Sequence, residues 1–178
     1  NKNDIDYTNF IKILEEELLP AMGCTEPIAV AYCAAMARKT LGAAPDRVVV
    51  EASGNIIKNV KSVVVPNTGG LRGIAAAAAA GVAAGREEKK LEVLSEVTPE
   101  QIGEVKKLID TLDCVVEQAD NDRVFYIEVT VKGGGHTARV EIADHHTNVT
   151  AIERDGQVLR QGSDQAWEPR RAADRSLL

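Results

Sequence analysis

The residue best equipped for chemistry is the cysteine of Gly23-Cys24-Thr25-Glu26-Pro27. It stands at the mouth of a helix, where unpaired N–H groups and the helix dipole favour a thiolate. A thiolate there can act as a nucleophile, a base or an iron ligand; the plainer reading is a small buried residue at a helix turn. The other two cysteines read as core: Cys33 falls among Ala31, Ala34 and Ala35 of an apolar helix, and Cys114 opens a strand.

A second candidate is the run Pro66-Asn67-Thr68-Gly69-Gly70-Leu71-Arg72-Gly73 ahead of an alanine helix. Strand, glycine turn and helix N-terminus together hold anions. No Lys-Ser/Thr follows the glycines, so this is not a Walker loop. The spacing is GGxxG, so it is not the dinucleotide fingerprint either. A small carboxylate or phosphate fits it, and so does a tight turn whose glycines only solve backbone geometry. A third candidate is His145-His146-Thr147-Asn148. Neighbours on a strand point to opposite faces, so these histidines would not chelate one metal together; substrate contact and a solvated turn are both open. The polar run Ser53-Gly54-Asn55-Ile56-Ile57-Lys58-Asn59 could line a site or start a short helix.

These groups need elements to position them. Apolar residues at helical spacing predict a helix over residues 6–19, interrupted by Pro20 and Gly23. A second helix is predicted over residues 25–41, with Thr25 as N-cap, Glu26 at the positive end of the dipole, and Gly42 ending it. Residues 47–52 read as a buried strand, 53–55 as a turn, 63–65 as a short strand stopped by Pro66, and 74–84 as the alanine helix closed by Gly85. Further helices are expected over 87–94 and 99–111, the latter with Thr98 and Gln101 as a capping box. Period-two alternation then marks strands over 114–117, 124–132, 137–142 and 148–154, punctuated by Gly133-Gly134-Gly135 and Asp155-Gly156. Helices first and strands last predict an α+β fold on a mainly antiparallel sheet, in one domain over residues 1–162. The tail from residue 163 is expected to be disordered or out of context.

Composition narrows the classes. Of 178 residues, 44% are hydrophobic and 27% charged, enough apolar surface for a folded core. Aromatics are only 3%, which argues against a base-stacking platform. The net charge of -6 without a basic stripe argues against nucleic acid and anionic membranes as partners. Three widely spaced cysteines without a CxxC do not make a disulfide scaffold. The polar start carries no signal-peptide core, and a cytoplasmic setting is expected.

Taken together, the segments resemble a known family. Gly23-Cys24-Thr25-Glu26-Pro27-Ile28-Ala29 is similar to the GCTEP signature of the L-cysteine desulfidases, UPF0597-type relatives of the iron–sulfur L-serine dehydratases. The order of Ser53-Gly54-Asn55, Lys58-Asn59, Val65-Pro66-Asn67-Thr68-Gly69, the alanine helix and His146-Thr147-Asn148 agrees with it. The resemblance implies a pyridoxal-phosphate-independent elimination, taking L-cysteine (or L-serine) to pyruvate, ammonia and sulfide (or water). It implies Cys24 as base for the α-proton, and as a fourth ligand of a [4Fe–4S] cluster in a full-length context. It implies Thr25, Glu26, Asn55, Lys58, Asn59, Asn67, Thr68, Gly69, Gly70, His146, Thr147 and Asn148 as substrate-binding. Such proteins are about twice as long, and their other cluster cysteines lie in a second half. This chain alone is therefore expected to hold no cluster and to be inactive, with that half as a missing or separate partner and self-association as an option. The competing readings are a carboxylate-binding, assembly or regulatory module, and a hydrolase pairing Cys24 with His146.

Overall fold

The computed structural model describes residues 25–162. The helix expected over residues 6–19, Cys24 itself and the tail from residue 163 lie outside the described residues.

Helix α1 (Thr25–Leu41) carries Glu26 in its first turn and Arg38 and Lys39 in its last, each sign at the end the dipole favours. Thr25 is itself helical rather than the cap. Gly42, at φ 78°, ends it by donating its N–H to the Arg38 carbonyl at 3.0 Å. Strand β1 (Arg47–Ala52) follows and alternates half-buried and buried side chains. Residues 53–55 are not a free turn: α2 (Gly54–Val60) starts there with Ser53 as its N-cap residue. The strand expected over 63–65 is only a single bridge, Val64 opposite Arg72, because Pro66 has no N–H with which to extend a ladder. The alanine helix α3 (Ile74–Ala84) has the predicted bounds. The helix expected over 87–94 is a 3-10 segment, Glu87–Glu92, broken at Lys90 where φ is +52°. Helix α4 (Pro99–Thr111) has the expected capping box between Thr98 and Gln101.

Strands β2 (Asp113–Gln118), β3 (Tyr126–Gly133), β4 (His136–Ala143), β5 (Val149–Arg154) and β6 (Gln157–Gln161) complete one six-stranded sheet in the order β2-β1-β3-β4-β5-β6. The fold is α+β with a mostly antiparallel sheet, as expected. Two features exceed the expectation. Strand β1 inserts between β2 and β3 and runs parallel to β2. Strand β6 adds an edge after Asp155-Gly156, a turn with both residues at positive φ.

The core lies between the sheet and the helices: Val48, Val50, Ile127, Val129, Val140 and Ile142 face a helical layer of alanines and Val30, Ile74 and Val82. One close approach fixes that layer. A Cβ on Gly81 would lie 2.2 Å from the Ala31 carbonyl oxygen, and one on Gly85 would lie 2.8 Å from the Ala35 Cβ. Residue 81 therefore meets 31 and 85 meets 35, so α1 and α3 run parallel with nearly touching backbones. Small residues make this approach feasible, and dispersion across the seam rewards it.

Candidate functional site

The sheet register gathers one end of the molecule. Ala52 pairs with Ile127 and Gln118, Tyr126 with Ala143, and Ile142 with Val149. The start of α2 and the β4–β5 turn, His145 to Asn148, therefore emerge at the same end. Helix α1 joins them. Its C-terminal Leu41 carbonyl accepts a long 3.5 Å bond from Arg154, at the far end of β5, which leaves Thr25 and Glu26 beside the β5 start. Because α3 runs parallel to α1, Gly73 and Ile74 come to that end too. Helix starts carry unpaired N–H groups and positive partial charge, so this end suits an anion.

Glu26 and His146, 120 positions apart in sequence, both lie at this end, where the Glu26 charge acts on the ring. Burial pushes the His146 pKa down, the Glu26 charge partly offsets this, and His145 adds to the lowering. The His146 ring stands edge-on to Phe125, with centroids 4.8 Å apart at 66°. His145 is exposed while His146 is half-buried, so the two histidines part company, here in a turn rather than on a strand. Glu26 Oε1 and His146 Nε2 are both shut off from solvent without a hydrogen-bond partner.

The other expected residues divide. Thr68 is buried, and its hydroxyl donates to the Val65 carbonyl at 2.7 Å and accepts from the Leu71 N–H at 3.2 Å. That hydroxyl holds the turn's own shape. Asn67, at φ 61°, donates its amide to the Leu94 carbonyl at 3.0 Å, and Asn148 donates to the Ala143 carbonyl at 2.8 Å. Gly69 and Gly70 are exposed at φ 73° and 98°, so their backbone is what the turn presents. Asn55, Lys58 and Asn59 are exposed on one face of α2. Thr25 is buried and Thr147 half-buried at this same end.

Sequence reasoning did not single out Phe125, which walls His146, or Gly81, which sets the helix pair. Neither has a local signal, since both matter through partners far along the chain. Cys33 is core as expected. Its thiol is fully buried, donates to the Val140 carbonyl at 3.3 Å, and has its pKa pushed far up by burial. Cys114 is half-buried on β2, an edge strand of the sheet, with its pKa raised by burial and by Asp113. Neither thiol fits as a cluster ligand. Among the described residues no group of three His, Cys, Asp or Glu side chains is arranged to hold a metal, and no helix is long and apolar enough to cross a membrane.

Comparison with known proteins gives a consistent result. A UPF0597 protein of Desulfitobacterium hafniense is 47% identical over 177 residues, covering 99% of this chain and 41% of that protein. This chain is a homologue of UPF0597 proteins. Another UPF0597 protein, from Lachnoclostridium phytofermentans, is 48% identical over 152 residues, 85% of this chain and 36% of its own length. A third, from Treponema denticola, is 41% identical over 153 residues, 86% of this chain and 36% of its own length. The chain thus spans about two fifths or less of the UPF0597 relatives it matches. No family model and no solved structure matches it.

Proposed function

We propose that this chain carries the carboxylate-binding and proton-abstracting part of an iron–sulfur-dependent lyase that eliminates sulfide from L-cysteine, or water from L-serine. The observation that carries the reading is the parallel packing of α1 on α3, with Gly81 seated on Ala31. It sets the start of the helix that follows Cys24 beside the start of the helix that follows the Gly69-Gly70 turn. The Thr25 end of α1 and the Gly73 end of α3, separate in sequence, thereby lie at one end of the molecule.

The chemistry follows from those parts. The substrate carboxylate meets the positive ends of α1 and α3 and the open backbone of Gly69 and Gly70. Cys24, one residue ahead of α1, is kept as a thiolate by the same dipole and takes the α-proton. The electron pair released forms the Cα–Cβ double bond as the β-substituent leaves with its own pair. The resulting aminoacrylate tautomerises to an imine, and water hydrolyses it to pyruvate and ammonia. The cluster implied by the resemblance would act as a Lewis acid on the leaving group. Cys33 and Cys114 do not fit it, so the reading assigns its ligands to the part of the relatives that this chain does not span, with Cys24 as a fourth.

The test is anaerobic assay of sulfide and pyruvate from L-cysteine. The chain is assayed alone, and again with a polypeptide matching the remaining length of the UPF0597 relatives, after iron and sulfide reconstitution. Turnover in the mixture only, lost in Cys24→Ala, is the expected result. Sulfide release by the iron-free chain alone would overturn the requirement for a second part. Binding of L-serine without turnover in either preparation would favour the non-catalytic carboxylate-binding module.

A further inference from the structure

The sheet has two edges, and they are not alike. Strand β6 carries a register shift against β5, between Ile152 and Glu153, a device that blunts an edge. Strand β2 pairs with β1 through all six of its residues without a shift. It has no proline, lysine or arginine, the usual guards of an edge. The Asp113 N–H donates to the Asp46 carbonyl, and the Ala119 N–H, just past the strand, donates to that of Ala52. The odd-numbered residues therefore turn their backbone toward β1, and Cys114, Val116 and Gln118 turn theirs outward. Among the described residues nothing bonds those outward N–H and C=O groups. Val48 and Val50, the register partners of Cys114 and Val116, lie in the core under the helical layer. Val116 points the same way, yet it is 38% exposed, so the helices leave this edge open.

We infer that the β2 edge is an interface for a second copy of the chain, the two β2 strands pairing antiparallel about a two-fold axis at Val116 and joining the two six-stranded sheets edge to edge. The register follows from the backbone. With Val116 opposite Val116, Cys114 stands opposite Gln118 of the second copy, and every outward N–H and C=O of both strands is used. A two-residue slide would oppose Gln118 to Leu112 or Cys114 to Asp120, both outside the strand. The charges agree with the same register. On the face away from the helices Val115 meets Glu117 and Asp113 meets Ala119, so no two carboxylates stand directly opposite. The nearest across the seam, Glu117 and Asp113, are diagonal neighbours, and Arg47 already pairs with Asp113. The axis stands perpendicular to the sheet, so both helical layers share one face and the interface is self-complementary. A seam of one strand pair buries less than the roughly 1,200 Å² of a standard interface, so the dimer is weak and concentration-dependent.

The test is amide hydrogen exchange by NMR on the full chain over a concentration series, with sedimentation to report the mass. The amides of Asp113, Val115 and Glu117 are turned to β1 and stay protected throughout. Those of Cys114, Val116 and Gln118 should exchange fast in dilute solution and slow in step with dimer formation, about tenfold where about nine-tenths of the chains are paired. Val116→Lys sets two ammonium groups opposite each other and should keep the chain monomeric with fast exchange at this edge; unchanged protection of Asp113, Val115 and Glu117 reports that its sheet is intact. Val158→Lys, on the β6 edge, should leave the dimer as it was. A chain that stays monomeric up to millimolar concentration would overturn the pairing, and so would a dimer that survives Val116→Lys and is lost in Val158→Lys. Protection of the three outward amides only on adding a polypeptide that matches the remaining length of the UPF0597 relatives would also overturn it, and would give the edge to that polypeptide.

Discussion

Burial and charge pull against each other at His146, and the direction of the balance has a measurable consequence. Desolvation of the ring outweighs the help of the Glu26 carboxylate, so its pKa lies below the ordinary histidine value of about 6.5. The unfolded chain then takes up this proton before the native one does. The contribution of His146 to stability is complete above the ordinary value and is lost as pH falls through the lowered one. Denaturant melts should show His146→Asn losing less stability than the parent between neutral pH and about pH 5; an equal or larger loss would contradict the assignment. At this scale the sequence disclosed residue type but not partnership. The core role of Cys33 was legible from its alanine neighbours. The roles of Thr68 and Asn67 were not, because a side chain that closes its own turn reads the same as one that faces a ligand. That the Glu26 charge acts on His146 depends on packing across 120 positions, which no local pattern encodes.

Helix α3 shows how an element of poor apparent character can be exact in its requirements. Ten of its eleven residues are Ala, Gly or Val, and it makes no side-chain hydrogen bonds at its N-cap. What places it is the absence of a side chain at position 81. A methyl there would stand 2.2 Å from the Ala31 carbonyl oxygen, and the obstacle is backbone that cannot rotate away. Gly81→Ala should therefore lower stability by roughly 1–3 kcal/mol, the usual range for overpacking, despite the better helix propensity of alanine. Because relief requires α3 to slide along α1, the same variant should weaken L-serine binding at the helix starts. A stabilised variant would disprove the tight seam. Element bounds were largely legible where punctuation is strong, as at Thr98-Pro99 and Gly85. They failed where a short apolar run had no ladder to join, as in residues 63–65, and where a turn ran on into a helix behind Ser53.

Strand order was the least legible feature, since inserting β1 between β2 and β3 depends on contacts across the whole molecule, and it creates an arrangement no single strand reveals. In the register, Glu117 pairs with Glu51, Glu51 with Glu128, and Glu128 with Glu141. Four carboxylates thus stand in one row across β2, β1, β3 and β4, on the sheet face away from the helices, in a chain of net charge -6. Arg139 pairs with Glu128 at 2.7 Å, with Glu153 at 2.9 Å and more distantly with Glu141 at 3.7 Å, and the Tyr126 hydroxyl lies 2.6 Å from both Glu128 and Glu141. These groups serve the β3–β4 side of the row. Glu51 has a carboxylate on either side, and desolvation, then Glu128 and Glu117, raise its pKa against the weaker pull of Arg139. A raised carboxyl pKa means the folded chain resists the ionised form. The cost is absent below the ordinary glutamate value of about 4.3 and grows as pH rises through the raised one. Like charges directly opposite one another on a sheet cost about 0.2–1 kcal/mol, so Glu51→Gln should stabilise the chain by about that much at pH 7. The gain should shrink in molar salt, where the screening length falls to about 3 Å, and vanish near pH 4. A gain that persists unchanged at pH 4 would assign the effect to packing rather than to the carboxylate row.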